Sequence, residues 1–127
     1  MTFDGIRPGL RGENREIVTE AMATRHVGGG RGVLTTPSMI SLMEDVAQEV
    51  TRPYLPPDHT TVGFEIAVRH LAPTPVGTPF TVSAELTEVD GRKLLFRVEA
   101  RNERGKIGEG TLRRTIVRLG SLDPAAP

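Results

Sequence analysis

One long stretch of helical periodicity limits the folds available to this chain more than any other feature. Apolar residues recur every three or four positions between Thr36 and Pro53, which places them on one face of a helix. Thr36 is a favourable N-cap, and Pro37 suits the first helical position because its missing N–H needs no partner there. The helix is expected to end before Pro53, since a residue that precedes proline disfavours helical geometry. The apolar face consists of Met39, Leu42, Met43, Val46, Ala47 and Val50.

The rest of the chain has the period of two that is typical of β-strands. Asp90-Gly91 separates two alternating segments and predicts a hairpin turn. Prolines interrupt residues 72–79, and residues 102–106 form a second turn. In chain order, the predicted strands span residues 15–27, 62–71, 80–87, 94–101 and 107–119.

A glycine run, Gly28-Gly29-Gly30-Arg31-Gly32, lies between the first predicted strand and the helix. Such a run invites comparison with a phosphate-binding loop, but the GK[ST] ending of that loop is missing. The run therefore favours a flexible connection or a gate.

The order of elements predicts an α+β fold in which an antiparallel sheet curls around one long central helix. A single helix with an apolar stripe needs a surface to cover it, and a twisted sheet provides one. The hotdog fold has this arrangement. We expect one domain over residues 1–127 with a flexible tail from about residue 120, and a homodimer or a dimer of dimers in which the second copy protects a sheet edge.

Composition excludes several classes of function. The chain has 127 residues, a formal net charge of zero and only 4% aromatic residues, which argues against a nucleic-acid partner. It has no cysteine, and its three histidines show no short spacing to a carboxylate, so we expect no metal and no cofactor. Residues 1–12 lack the apolar run of a signal peptide, and no segment has the length and hydropathy of a membrane span. A cytoplasmic protein is the expectation.

Three polar residues are candidates for chemistry, and each also has a purely structural explanation. Thr36 can cap the helix while its proton points elsewhere, close to the free N–H groups of the helix start. Glu44 lies at the border of the apolar stripe, where it is either a partly buried acid or a solvated one. If no bulge intervenes, His70 shares a face with Val62, Phe64, Ile66 and Val68, toward the helix, as a catalyst or as a structural hydrogen-bonding group.

Two segments resemble the fluoroacetyl-CoA thioesterase family: TPSMISLME at residues 36–44 resembles its active-site helix, and VGFEIAVRH at residues 62–70 resembles its glycine-to-histidine strand. Residues 83–94 and 107–111 also match, so that the resemblance covers roughly residues 33–118. It implies that Thr36, Glu44 and His70 are catalytic. It also implies that Gly63 helps to bind the acyl group, and we assign Phe64 beside it to the same role.

The expected activity is hydrolysis of a small acyl-CoA thioester, with Glu44 as nucleophile or as general base. The alternatives are a non-catalytic acyl-CoA binding protein and a hotdog enoyl-CoA hydratase. This chain departs from the family pattern at one place. The fluoroacetyl enzyme has bulky aromatic residues just before the active-site helix, which gate its pocket, whereas this chain has glycines there and no aromatic residue between positions 4 and 53. We therefore expect a thioesterase-like site but not that substrate. The candidate cations for the coenzyme A phosphates are Arg92 and Lys93, and with them Arg97, Arg113 and Arg114.

Overall fold

A five-stranded antiparallel sheet packs against one long helix in the computed structural model, which describes residues 3–125. The strand order in the sheet is β1-β5-β6-β7-β4, and a small ribbon of β2 and β3 lies beside it. This confirms the predicted α+β hotdog arrangement. The elements are β1 (Arg11–Ile17), β2 (Ala23–Thr24), β3 (Val33–Leu34), α1 (Thr36–Thr51), β4 (His59–His70), β5 (Pro79–Asp90), β6 (Lys93–Asn102) and β7 (Gly105–Arg118).

The core lies between α1 and the inner face of the sheet. Met39, Met43 and Ala47 are fully buried on the helix and meet alternate residues of the central strands, including Phe80 and Phe96. Full burial of a Met or Phe side chain contributes about 1.5–3 kcal/mol. The predicted apolar stripe thus fixes which side of the helix faces the sheet.

The start of α1 differs from the expectation by one residue. The N-cap is Thr35, which has extended backbone angles and whose Oγ1 accepts from the N–H of Ser38 at 3.1 Å. The prediction that Thr36 is the cap is therefore wrong, because the preceding threonine provides the same hydroxyl one position earlier. Thr36 is instead the first helical residue, and its hydroxyl is not used for capping.

The first predicted strand, 15–27, is also wrong in its bounds. β1 ends at Ile17, and a short 3₁₀ turn, Glu20–Met22, separates it from β2. The chain turns here because the backbone of Val18 is hydrogen-bonded to Thr78 and Gly77 rather than to the next residues of a strand. The glycine run then connects β2 to β3.

β4 is an edge strand whose residues are less buried than the sequence predicts. A bulge between Gly63 and Glu65 makes Phe64 an extra residue, so that Val62 lies on the opposite face from Ile66 and His70. Phe64 is 52% exposed and Ile66 is 48% exposed. The expected buried row along this strand is therefore wrong, although its end at His70 does face the helix.

The C-terminal residues 120–125 form exposed turns. The last two residues of the predicted flexible tail, 126 and 127, lie outside the described residues. Within residues 3–125, no helix combines the length and the hydropathy that crossing a membrane requires.

Candidate active site

Thr36 and His70 form a hydrogen-bonded pair at the start of α1. Thr36 Oγ1 lies 2.8 Å from His70 Nδ1. Thr36 is held by the first turn of the helix, and His70 is the last residue of β4, next to the crossing of strand and helix. The sequence predicted both residues, and the structure brings them into direct contact across 34 positions of chain.

The backbone around Thr36 leaves one amide of the first helical turn without a partner. Pro37 has no N–H, and the N–H of Ser38 donates to Thr35 Oγ1. The N–H of Met39 donates to the carbonyl oxygen of Thr35. Within residues 3–125, the N–H of Thr36 donates to no other group, so this residue alone offers both a backbone and a hydroxyl donor at the positive end of the helix. The expectation of several free helix amides is thereby reduced to one.

Burial lowers the pKa of His70 below its usual value, because the charged imidazolium is poorly solvated there. A contact with the backbone of Ala72 acts weakly in the opposite direction. Nε2 of His70 is buried and makes no hydrogen bond of ordinary geometry with residues 3–125. The ring is therefore neutral near pH 7, and one of its nitrogens can accept or carry a proton.

Glu44 lies in a second cluster, formed with Arg114 and Gly63. Its Oε2 lies 3.1 Å from Nη1 of Arg114. A Cβ at Gly63 would lie only 2.6 Å from the same oxygen, so the absence of a side chain at this position is what admits the carboxylate. The Glu44 side chain is 32% exposed, as expected for a residue at the border of the apolar stripe.

Arg114 is a fixed internal cation and not one of the expected surface cations. It is 5% exposed. Its Nε donates to Thr61 Oγ1 at 3.0 Å and its Nη2 to the carbonyl oxygen of Thr61 at 2.9 Å. Burial lowers the pKa of Arg114, and the charge of Glu44 opposes this shift. The guanidinium holds Glu44 in place, and this role was not foreseen because the sequence does not show that the β4 bulge brings Gly63 and Arg114 face to face.

The two clusters lie apart within one chain. Thr36 and Glu44 are eight residues apart on α1, which corresponds to about 12 Å along the helix axis. Gly63 and His70 are seven residues apart on β4, which corresponds to about 20 Å along the strand. The structure therefore joins Thr36 to His70 and Glu44 to Gly63, but it does not bring all four together in a single chain.

The remaining predicted binding residues lie outside both clusters. Arg92 stacks over the ring of Phe3, with 5.8 Å between its guanidinium carbon and the ring centroid. Lys93 follows Arg92 at the β5–β6 turn and pairs with Thr115, the residue after Arg114 on β7. Arg97 is ion-paired with Glu85 and Arg113 with Glu65, both on the exposed surface of the sheet.

A cleft of about 630 Å³ opens beside the Thr36–His70 pair and was not predicted from the sequence. His26 lines it, and its Nδ1 lies 2.7 Å from Thr24 Oγ1. The Thr-x-His spacing is a signal that the sequence contains, but it is too common to indicate a site by itself. A second cleft, of about 550 Å³, lies on the outer face of the sheet among ion-paired side chains and does not include the pair.

Comparison with known proteins gives one consistent result. The family model described as FlK: Fluoroacetyl-CoA-specific thioesterase matches residues 18–119. The fluoroacetyl-CoA thioesterase of Streptantibioticus cattleyicolor is 36% identical over 123 residues, which cover 91% of this chain and 88% of that protein.

Solved structures agree with the sequence comparison. A structure of the fluoroacetyl-CoA thioesterase FlK has a TM-score of 0.83 at 36% identity and covers 91% of both chains. A thioesterase superfamily member from Thermus thermophilus has a TM-score of 0.80 at 29% identity, over 89% of this chain and 85% of that one. A hot-dog-like protein from Thermanaerovibrio acidaminovorans, at 21% identity and a TM-score of 0.84 over 94% of this chain and 90% of that one, supports the fold alone.

Fold and site together thus define a thioesterase of the hotdog class. The chain belongs to the fluoroacetyl-CoA-specific thioesterase family, because the family model matches residues 18–119 and a relative that is 36% identical covers 91% of the chain.

Proposed function

We propose that this protein hydrolyses acyl-CoA thioesters to the free acid and coenzyme A. The observation that carries the proposal is the pairing of a helix-start hydroxyl with a neutral imidazole, Thr36 with His70, together with a carboxylate that Arg114 holds against Gly63. These are the groups that an acyl transfer needs: donors for the carbonyl oxygen, a base and a proton carrier.

The site is composite, with one cluster from each subunit of a dimer. β4 pairs with β7 on one side only and exposes Phe64 and Ile66 on the sheet edge. An edge of this kind is suited to antiparallel pairing with its own copy. A two-fold axis near Ile66 would set Gly63 and Glu44 of one subunit opposite the Thr36–His70 pair of the other. The separation of the clusters within one chain is then a consequence of the assembly.

The reaction follows from these positions. The thioester carbonyl oxygen accepts from the N–H and the hydroxyl of Thr36, which stabilise the charge that develops on it. With the imidazole proton on Nδ1, His70 donates to Thr36 Oγ1. The hydroxyl proton of Thr36 is then free to be donated to the thioester carbonyl oxygen. The carboxylate of Glu44 removes a proton from water, the resulting hydroxide adds to the carbonyl carbon, and the intermediate collapses with cleavage of the C–S bond.

Proton balance is completed when the sulfur leaves as the thiol. The proton taken up by Glu44 is the one that the departing thiolate finally receives, and His70 is close enough to the helix start to relay it. Direct attack by Glu44 would instead give a mixed anhydride, which water then hydrolyses to the same products. Label in Glu44 after a single turnover in ¹⁸O-labelled water would identify the anhydride route with attack of water at the Glu44 carbonyl carbon, because general-base hydrolysis places no new oxygen in that carboxylate.

The coenzyme A moiety extends from this site toward the turn that carries Arg92 and Lys93, which lies at the Glu44 end of the sheet. The test is to replace both with alanine. The KM for acyl-CoA is expected to rise while kcat changes little, because these side chains contact the phosphates and not the reacting carbon. No change in KM would place the phosphates elsewhere.

Release of free thiol from a panel of acyl-CoAs tests the activity itself. Hydrolysis of at least one member supports the proposal. Tight binding with no thiol release would instead support a non-catalytic acyl-CoA binding protein, and water addition to an enoyl-CoA without thiol release would support a hydratase.

Subunit complementation tests the composite site. The variants Glu44→Gln and His70→Ala are each expected to lose about 100- to 10,000-fold in turnover when expressed alone. A mixed dimer of the two has one site with both defects and one intact site, so co-expression restores about one quarter of the wild-type turnover after random pairing. A mixture that stays inactive although mixed dimers form would contradict the composite site. Sedimentation at micromolar concentration gives the assembly, and a monomer near 13.8 kDa would contradict the dimer.

A further inference from the structure

The cleft beside the Thr36–His70 pair is built from three parts of the chain. One wall comes from the β2–β3 ribbon and the loop between its strands, the floor from the start of α1, and the other wall from residues 70–73. Its volume of about 630 Å³ lies within the range of small-molecule pockets, about 300–1,000 Å³. Because Thr36 and His70 line it, a ligand in the cleft would lie next to the groups that we propose bind the thioester carbonyl.

The lining of the cleft is mostly apolar and, among the described residues, has no charged carboxylate, ammonium or guanidinium group, since no Asp, Glu, Lys or Arg contributes to it. Its threonine hydroxyls already have partners, since Thr24 bonds His26, Thr36 bonds His70 and Thr35 caps the helix. Nε2 of His70 has no partner among residues 3–125, but this atom is itself buried. The apolar lining consists of Val27, Val33, Leu34, Pro37, Leu71, Ala72 and Pro73.

Two of these apolar side chains have much of their surface in water. Val27 is 62% exposed on one wall, and Leu71 is 47% exposed on the other. An aliphatic ligand between them would remove apolar surface from water, which is favourable by roughly 25 cal/mol per Å². The pair is therefore suited to a ligand without polar groups.

The loop between β2 and β3 has no side chain at three successive positions. Gly28, Gly29 and Gly30 have φ angles of +82°, +79° and +58°, in the region that favours glycine. A Cβ at any of them would meet nothing within 4 Å. The loop thus places no side chain into the cleft from these three positions, and an acetyl group would leave most of the cleft unfilled.

We propose that this cleft binds the acyl chain of the substrate and selects aliphatic chains longer than acetyl. The inference rests on the proposed thioesterase function and names its substrate class. The pantetheine arm is the other part of the substrate that could enter, but its two amides would lie against a largely apolar wall whose threonine hydroxyls already have partners. Burying an amide without a partner costs about 1–3 kcal/mol.

The test compares kcat/KM for acetyl-, butanoyl-, hexanoyl- and octanoyl-CoA. Burial of each added methylene in a half-open cleft is expected to raise kcat/KM about two- to fourfold. Hexanoyl-CoA should therefore exceed acetyl-CoA by at least about tenfold. If acetyl-CoA is hydrolysed and chain length has no effect, the acyl cleft is wrong while the thioesterase function stands.

A cleft-filling variant separates the two possible occupants. Val27→Trp is expected to lower the ratio of hexanoyl-CoA to acetyl-CoA kcat/KM by at least about fivefold, because the indole takes the space of the chain. Val89→Trp, at an exposed valine of β5 outside the cleft, should leave that ratio unchanged. If Val27→Trp raises KM equally for every chain length, the cleft holds pantetheine and the inference is overturned.

If no acyl-CoA is hydrolysed, the proposed function is wrong, but the acyl cleft can still be tested by measuring ligand affinity. Non-hydrolysable S-alkyl-CoA thioethers of the same lengths can be titrated by calorimetry. Affinity that rises with chain length in the parent protein but not in Val27→Trp supports the acyl cleft. Equal affinity for all lengths overturns it.

Discussion

Gly63→Ala tests whether the position of the Glu44 carboxylate matters for turnover. The added Cβ would lie 2.6 Å from Glu44 Oε2 and 3.3 Å from Arg114 Nη1. Ordinary contact begins near 3.4 Å, so the carboxylate has to retreat by about 0.8 Å. The strand itself does not need to move, because Glu44 is a flexible side chain whereas Arg114 is fixed by its bonds to Thr61.

The two consequences of this shift differ in size. Weakening one charge-assisted hydrogen bond at a carboxylate that is 32% exposed costs about 1–1.5 kcal/mol of folding stability. For a chain of this length, that lowers Tm by about 3–6 °C. A displacement of a reacting group by about 1 Å can cost about 100-fold in rate. We therefore expect kcat to fall about 100-fold in a protein that remains folded.

Gly12→Ala is a matched control. A Cβ there would lie 2.9 Å from Val50 Cγ2, between β1 and the far end of the helix, and would meet no charged group. Overpacking of this kind costs about 1–3 kcal/mol, so the loss of stability is comparable or larger. The assay is steady-state thiol release by both variants, with thermal melts. Gly12→Ala should keep near-normal kcat.

A suppressor makes the test sharper. Glu44→Asp shortens the side chain by one methylene, so that in the Gly63→Ala background it withdraws the carboxylate from the new methyl group. The loss of activity caused by Glu44→Asp should therefore be smaller in the Gly63→Ala background than in the parent protein. If Gly63→Ala is folded and turns over normally, the reasoning that ties Gly63 to the carboxylate is refuted.

Three further outcomes follow from the other contacts. With one acyl-CoA substrate, Thr36→Ser should keep most of the turnover and Thr36→Val little of it, because serine retains the hydroxyl. Equal losses in the two variants would argue against a role for the Thr36 hydroxyl. Burial lowers the pKa of His70, so the imidazole stays neutral at pH values where a free histidine would already be protonated. The fall of kcat/KM on the acid side should therefore lie below about pH 6.5, the usual pKa of histidine. His70→Ala should flatten this part of the pH profile. The stability that the neutral ring contributes is present above that pH and is lost as the pH falls toward the lowered pKa, which pH-dependent melts can follow. Dialysis against a chelator should leave activity unchanged, and a loss that zinc or magnesium restores would contradict a metal-free site.

The helix and the sheet could be predicted because their signals are local. The apolar stripe of α1 and the alternation of β5 and β6 each lie within about a dozen residues. β1 was misplaced for the converse reason. Its pairing with β5 is set by long-range register, and few of its residues are buried, so its own sequence contains little alternation.

The candidate residues of the site could be named from the sequence and their roles stay predictions, whereas their grouping could not be predicted. Thr36, Glu44 and His70 follow from the resemblance, and the structure confirms where they lie on helix and strand. The bond between Thr36 and His70 and the bond between Glu44 and Arg114 depend on how β4 crosses the helix. A bulge at Phe64 changes which residues face inward after it, and no pattern within β4 shows that bulge.

The doubled threonine at the helix start explains how one hydroxyl becomes available for chemistry. A single threonine before Pro37 would have to cap the helix, since the amide of Ser38 needs an acceptor. Here Thr35 takes that task and Thr36 moves to the first helical position, where its hydroxyl reaches His70. Replacing Thr35 with valine removes the cap at a cost of about 1 kcal/mol but leaves the Thr36–His70 bond in place. The helix cap and the hydroxyl that we propose acts on the thioester therefore belong to adjacent residues, Thr35 and Thr36, so that one change can remove the cap without removing that hydroxyl.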